Sequence, residues 1–491
     1  MLNASATDTS IATHVDRNEL ERILALQRAA FLQEGSASAE VRRDRIDRMS
    51  LAILTHADEL SEAMNLDFGQ RPAALSKAFE VAGWLADAKV MRDNLEEWMK
   101  PIEVAAGFIQ QKPRGVIGVI GAWNFPIAST VQPALAALAA GNRVVLKCPD
   151  FHIRTGKALA KAIAEFMPED EATVVLGDLK TAEIFAELPF DGFLFTGSPR
   201  VGRLVAAAAA KNLVPVVLEL GGKNPSVVAR DADLDLAARR IAQTRAINGG
   251  QVCLCPEYAF VPRESADAFT EKVLEQFNDL FPDYLDNPGV VSIVNDGNYH
   301  RIVDLIDDAV AHGARKLEAV SDEEAGSLPS IEGRRIAPTV LLDVPEEAKV
   351  SSEEIFGPVL PIYPYDDIDE VIAYVNSRPS PLSSYWFGED TAEFRRFLDR
   401  TTSGGVTRND GMVHANAEGA PFGGVGNSGY GAYHGKAGFD QFTHSRMVAT
   451  ASPEIGAADN LVGRPLTSDA MISAMDGIIE GAIADIRARI G

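Results

Sequence analysis

Cysteine is scarce in this chain. Three thiols in 491 residues cannot build a disulfide framework, and an odd number with no secretory leader fits a reducing, cytoplasmic compartment. The start, Met1-Leu2-Asn3-Ala4-Ser5-Ala6, is polar and lacks the basic-then-apolar order of a signal peptide. Positive charge is also short: 46 Lys and Arg stand against 70 Asp and Glu, a net charge of −24. Such a field repels phosphate backbones and anionic lipid, which argues against nucleic acid or a membrane surface as partner. Long apolar runs are missing. None reaches the ~20 residues of a bilayer span; the longest candidates, 201–220 and 127–140, are broken by Lys211, Asn212, Pro215 and by Pro133. Histidine numbers eight and is scattered, and Cys253-x-Cys255 has no second pair, so no metal site is expected. His152, His414, His434 and His444 receive no role.

What is present is ordinary globular composition, 46% hydrophobic and 24% charged, in a chain long enough for two or three domains. Residues from about Asp16 to Met99 carry apolar positions at helical spacing. Around Trp98–Gln111 that period is lost, and Pro101 and Pro113 bracket a piece that reads as a hairpin. From Gly115 onward, short β-rich runs at Val116–Ile120, Val144–Leu146, Thr173–Leu176, Phe193–Phe195 and Val214–Leu218 alternate with helical segments. That alternation predicts an α/β fold with a Rossmann-like, doubly wound parallel sheet, whose ligands sit at the carboxyl ends of the strands. A second α/β region runs from near Lys223 to about Asn427, with strands expected at Ser226–Val228, Ala259–Val261, Thr339–Leu342, Val359–Tyr363 and Ser384–Phe387. The acidic stretch Ser321–Gly326 reads as a solvated loop, Gln441–Ala449 as a further strand, and Leu466–Ile490 as an amphipathic helix.

Two glycine-crowded runs concentrate the chemistry. Leu218-Glu219-Leu220-Gly221-Gly222-Lys223 holds a carboxylate, and Asn248-Gly249-Gly250-Gln251-Val252-Cys253 holds a thiol 253 − 219 = 34 residues later. A thiol paired with a carboxylate is the pattern of covalent catalysis, although a small buried hydrophobe is the commoner fate of a free cysteine. Gly115, Gly118 and Gly121 depart from the dinucleotide spacing and carry little weight alone. Gly197-Ser198-Pro199-Arg200-Val201-Gly202 opens a helix whose free amides suit a pyrophosphate. Arg203 and Leu204 stand where a P-loop needs Lys and Ser/Thr, which removes a phosphoryl-transfer reading. Lys147 and Asp150 leave a strand end together, either as a grip on ribose hydroxyls or as plain surface residues. Asn124, between Trp123 and Phe125-Pro126, is either a turn former or an amide donor to an oxyanion.

Six motifs occur in order: Trp123-Asn124-Phe125-Pro126, Phe195-Thr196-Gly197-Ser198, Leu218–Lys223, Gly250–Cys253, Glu354-Ile355-Phe356-Gly357-Pro358 and Pro421-Phe422-Gly423-Gly424. With them the chain resembles the aldehyde dehydrogenase superfamily along essentially its whole length. Ser403–Asp410 and Tyr433–Phe439 resemble the branch acting on fatty and aromatic aldehydes, and Asn65-Leu66-Asp67-Phe68-Gly69 is most similar to bacterial coniferyl aldehyde dehydrogenases. The resemblance implies an NAD(P)-dependent oxidation of an aldehyde to its acid. Cys253 is then the nucleophile, Asn124 with the Cys253 amide the oxyanion hole, and Glu219 the base that activates the hydrolytic water. Lys147 and Asp150 hold the adenosine ribose, Gly197, Ser198 and Gly202 the pyrophosphate region, and Glu354 with Phe356 the nicotinamide ribose and ring. Ala122, Trp123 and Leu220 border the cofactor.

The same resemblance implies a homodimer and a division into a coenzyme domain (1–99 and 113–222), a catalytic domain (223–430), a bridging element (100–112 and 440–452) and a tail (453–491). A CoA-acylating relative is an alternative that Glu219 opposes, and a non-catalytic nucleotide-binding protein of this fold is another. Three positions depart from the family pattern. Asp150 replaces a longer acid, Cys148 a proline, and Cys255 a small residue. In an extended segment Cys255 shares a face with Cys253; in a turn it points elsewhere. The resemblance to the coniferyl aldehyde branch at Asn65–Gly69 and Tyr433–Phe439 implies a bulky apolar aldehyde, a coniferyl-type aromatic first and a medium-chain aliphatic second. A charged semialdehyde needs a basic clamp; no arginine lies within Asn248–Glu257, and Arg408 is the residue that would change this.

Overall fold

The computed structural model describes residues 14–449 and 469–490. The polar start Met1–Ala6 and the tail from 450 to 468, with the expected helix start at Leu466, lie outside them. The described residues form two compact units. One takes the chain up to Met99 together with Lys112–His444, and the other takes Lys100–Gln111 and the residues from Ser445 onward.

The larger unit holds two mixed α/β sheets. The first is ordered Gly429–Tyr430, Val216–Glu219, Gly192–Thr196, Val116–Ile120, Arg143–Lys147, Ala172–Val175. Its last five strands are parallel, and only the edge pair Gly429–Tyr430 runs against its neighbour. Val116–Ile120 and Arg143–Lys147 are buried at every position. Helices such as Ala128–Ala139 and Ile153–Phe166 cover the sheet, which is why these strands read as unbroken Val/Ile/Leu runs. From the central strand Val116–Ile120 the chain winds outward to Ala172–Val175, then returns to the other side with Gly192–Thr196. The loops after these two neighbouring strands, Gly121–Pro126 and Gly197–Ser198, therefore open at the switch point, where doubly wound sheets bind ligands.

The second sheet is ordered Arg315–Glu318, Thr339–Leu342, Val359–Tyr365, Pro256–Pro262, Asn224–Val228, Ser383–Phe387, Gly405–Arg408. All neighbours are parallel except Arg315–Glu318 against Thr339–Leu342. The five expected strands are present, but the two edge strands escaped the sequence reading. Arg315–Glu318 has no buried residue and Gly405–Arg408 has one, and both carry polar residues, so neither shows an apolar run. Glu219 ends a strand of the first sheet and Asn224 begins a strand of the second, so the chain crosses between them over only Leu220–Lys223.

Two local features differ from expectation. Within the helical N-terminal region, Lys77–Val81 is a single π turn, closed by the Ala82 amide on the Lys77 carbonyl, and it carries Phe79 and the fully buried Glu80. The acidic loop near Ser321–Gly326 is anchored, because the Glu324 carboxylate accepts from the Tyr284 and Leu285 amides. In the smaller unit the expected hairpin is formed by Ile102–Val104 and Gly107–Pro113, with Thr443–Ala449 as the third strand, and Asp469–Ile490 is a helix. No helix among the described residues is long and apolar enough to cross a membrane.

Candidate active site

The thiol sits on a turn that the backbone can form only with left-handed residues. Asn248, Gly249 and Gly250 take φ values of 53°, 64° and 76° in succession, a region open to glycine and tolerated by asparagine. At Gly250 a Cβ would lie 2.2 Å from the Gly357 carbonyl oxygen, so that site admits no side chain. The turn is then pinned. Every carbonyl from Gln251 to Pro256 accepts a hydrogen bond: from the Asn124 and Asn248 amides, the Cys255 N–H, the Asn224 amide, the Tyr385 hydroxyl, Asn224 again and Arg245. Gln251 braces the same turn, its amide donating to the Asn248 and Ser292 carbonyls and accepting from the Val294 N–H.

This geometry resolves the two fates of Cys255. The segment turns rather than extends, and the Cys255 thiol is fully buried, donating to the Thr244 carbonyl at 3.2 Å. Burial pushes that thiol up to about 12, as it does Cys148. Cys253 is the one cysteine that is not fully buried, and it faces a cavity of about 340 Å³. Desolvation first, then the nearby carboxyls of Glu354 and Glu219, push its thiol well above the ordinary range. Attack on a carbonyl therefore calls for a base that takes the thiol proton.

Glu219 lines the same cavity. It is 3% exposed, and neither carboxyl oxygen has a hydrogen-bond partner from the protein. Desolvation alone therefore raises its pKa well above the carboxylate range. A partnerless buried carboxyl costs stability and is tolerated in few places. Here the backbone holds it: the Glu219 carbonyl accepts from the Gly197 amide, and the Leu220 amide donates to the Ser428 carbonyl. Gly429 makes the close pairing possible, since a Cβ there would meet the Leu218 carbonyl oxygen at 1.9 Å.

Asn124 follows the central strand and donates its side-chain amide to the Gln251 carbonyl at 3.1 Å, two residues from the thiol. It lies in a bend and lines the same cavity as Cys253. Its position depends on residues that no motif announced. Arg71 donates to the Asn124 carbonyl at 2.8 Å and pairs with Glu80 at 2.9 Å, both side chains being fully buried. The other Glu80 oxygen accepts from the first amides of the following helix, Ile127 and Ala128. The available signal was the Arg-Pro pair at 71–72, followed by one carboxylate inside an otherwise apolar helical stretch.

All the expected site residues except Lys147, Asp150 and Gly202 line the cavity. Trp123 and Phe356 meet edge to face at 5.3 Å, and Glu354 accepts from the Gly222 amide. Burial, followed by the charge of Glu257, raises the Glu354 carboxyl. Gly202 stands behind Leu220, where a Cβ would lie 2.8 Å from the Leu220 side chain. Lys147 is not a surface lysine. It is buried, with its ammonium on the Cys148 and Gly177 carbonyls, and burial lowers its pKa. Asp150 is exposed beside it. Arg408 is not among the lining residues; it pairs with Glu389 at 3.8 Å. Arg301, which the sequence reading passed over, is among them.

The residues at the switch point suit a dinucleotide. Gly197 and Ser198 line the cavity where the helix Pro199–Ala210 begins, with Ser198 as its cap. The positive end of that helix favours a diphosphate. Among the described residues no cluster of His, Cys, Asp and Glu has the makings of a metal site.

Comparison with known proteins decides the family. The model of the aldehyde dehydrogenase family matches residues 3–448. The chain belongs to the aldehyde dehydrogenase family. This makes it an NAD(P)-dependent oxidoreductase. The dehydrogenase is 41% identical to a coniferyl aldehyde dehydrogenase of Pseudomonas sp. (strain HR199 / DSM 7063), over 89% of this chain and 92% of that protein. It is 40% identical to a probable coniferyl aldehyde dehydrogenase of Caulobacter vibrioides, with the same coverage. Among solved structures it is similar to Staphylococcus aureus AldH (TM-score 0.84, 30% identity, 94% of this chain and 99% of that one). It is also similar to a mutant of Pseudomonas syringae aldehyde dehydrogenase C complexed with NAD+ and octanal (TM-score 0.81, 27% identity, 92% and 95%).

Proposed function

We propose that the dehydrogenase oxidises a bulky apolar aldehyde to its acid, with a coniferyl-type aromatic aldehyde as first choice and a medium-chain aliphatic one as second. The observation that carries this is the cavity wall around Cys253. Phe79, Phe125, Leu254, Leu382, Met412 and Phe422 line it, and Arg408 does not. The relatives named for coniferyl aldehyde support the same choice.

In this mechanism the ionised form of Glu219 takes the Cys253 thiol proton as the sulfur attacks the aldehyde carbon, and releases that proton to solvent before the second half of the reaction. Asn124 and the Cys253 amide stabilise the oxyanion of the thiohemiacetal. Glu354 and Phe356 bind the nicotinamide end of the dinucleotide, Lys147 and Asp150 the adenosine ribose, and the helix start at Ser198 the diphosphate. When bound, the nicotinamide supplies the hydride acceptor. Glu219 then deprotonates the water that cleaves the Cys253 thioester, releasing the acid and the thiol. In this reading residues 1–99 and 113–222 bind the coenzyme and 223–430 carry catalysis, in a cytoplasmic homodimer.

The test is a panel of aldehydes assayed with NAD and NADP in parallel. An apolar wall gains ~0.8 kcal/mol per buried CH₂, so kcat/KM should rise steeply from acetaldehyde to hexanal and coniferyl aldehyde. Succinic semialdehyde outperforming both would overturn the substrate assignment.

A further inference from the structure

The loop that carries Glu354 and Phe356 is held in a strained shape. Phe356 has φ +52°, a left-handed conformation that is disfavoured for a bulky side chain. A loop of that kind persists only where its surroundings over-determine it.

The restraint comes from both sides of its backbone. The Glu257 carboxylate accepts from the Ile355 amide at 2.7 Å and from the Phe356 amide at 3.3 Å. The Arg301 guanidinium donates to the Glu354 and Ile355 carbonyls at 3.0 and 2.7 Å. Glu257 is in turn fixed by two cations, Lys223 at 3.1 Å and Arg245 at 2.8 Å, and all three side chains are buried. Lys223 also donates to the Glu353 carbonyl. Burial opposes the charge on Glu257, but Arg245 and Lys223 hold its carboxyl below the usual range. The hub is placed for coupling. Glu257 lies four residues after Cys253, and Lys223 four after Glu219, so one ion cluster ties the nucleophile turn, the base strand and the Glu354–Phe356 loop together.

We propose that Glu257 is a positioning residue for the cofactor. Its carboxylate holds the Ile355 and Phe356 amides, so that Glu354 and Phe356 face the cavity in the shape that receives the nicotinamide end of the dinucleotide. This rests on the assignment of Glu354 and Phe356 to that end. Glu257 itself is not among the residues lining the cavity. It therefore acts through the loop.

The experiment uses the full-length enzyme and measures binding rather than turnover. NAD and AMP are titrated against intrinsic tryptophan fluorescence, since Trp123 lies against Phe356, in wild type, Glu257→Gln and Glu354→Gln. Glu257→Gln should weaken NAD about ten- to a hundredfold, the size of one or two charge-assisted hydrogen bonds. AMP, which lacks the nicotinamide half, should bind with unchanged affinity. Equal weakening of both ligands would mean general loosening and overturn the proposal. If Glu354→Gln weakens NAD and Glu257→Gln does not, the loop assignment stands and the positioning role fails. If neither variant affects NAD, the loop assignment itself is wrong. Hydrogen exchange of the wild-type enzyme covers the case in which Glu257→Gln does not fold. The Ile355 and Phe356 amides should exchange as slowly as those of the buried strand Pro256–Pro262, and rapid exchange would overturn the hold by Glu257.

Discussion

Replacing Glu219 by Gln separates the two halves of the reaction and also changes how stability depends on pH. The side chains have the same shape, and the Glu219 carboxyl has no hydrogen-bond partner to lose, so the fold should survive. A general base contributes ~10²–10⁴-fold. Steady-state turnover should fall by that amount through deacylation, while a slower burst of reduced cofactor persists as the thioester accumulates on Cys253. Stopped-flow absorbance reads the burst directly. The thermodynamic half follows from burial. Desolvation raises the folded-state pKa well above the unfolded value of 4.5, so between the two values the folded state holds the extra proton. Stability is then lost as pH rises through that window, at about 1.4 kcal/mol per pH unit for one proton. Glu219→Gln removes the titration. Its melting temperature should match wild type below pH 4.5 and exceed it increasingly toward alkaline pH. Normal turnover in the variant would refute the base role, and loss of the burst would make thiol activation, rather than deacylation, the step that depends on Glu219 most. Melting curves parallel at every pH would refute the buried, partnerless state.

Three further outcomes are expected. Cys253→Ala should abolish dehydrogenation; Cys148→Ala and Cys255→Ala should keep most of it, with Cys255→Ala costing on the order of 1 kcal/mol for the lost bond to Thr244, measured by urea unfolding. Glu80→Gln should cost about 3–5 kcal/mol by stranding the buried Arg71, and kcat should fall with it because Arg71 holds the Asn124 carbonyl; an unchanged kcat would detach that pair from the oxyanion site. Asp150→Ser should narrow a preference for NAD in kcat/KM, because the exposed carboxylate repels a 2′-phosphate; a wild-type preference for NADP would show that Asp150 does not face the ribose. Arg154, four residues further along, pairs with Asp67 at 3.5 Å.

Local chemistry was legible in the chain itself. Glycine and asparagine clusters announce backbone that other residues cannot adopt, and Asn248–Gly250 does adopt it. Buried parallel strands appear as apolar runs because both faces are covered, so the doubly wound sheet could be read strand by strand from Val116 to Leu218. The net charge argues against nucleic acid, and the scarcity of cysteine against a disulfide framework, without reference to any fold. What escaped was everything that depends on contact across the chain. Edge strands at Arg315–Glu318 and Gly405–Arg408 hold at most one buried residue each and carry no run. The Arg71–Glu80 pair and the Lys223–Glu257–Arg245 cluster are ordinary charged residues in sequence. Only the folding of distant segments onto one another brings those partners within hydrogen-bond reach. Lys147 reads by sequence as either a ribose grip or a surface lysine, and it is buried in the fold, since the strand that carries it has a neighbour on each side. Sequence determines which residues can take unusual backbone or lie in a core. Which buried charges meet is decided by tertiary structure, because a charge can stay buried only where the fold supplies its partner.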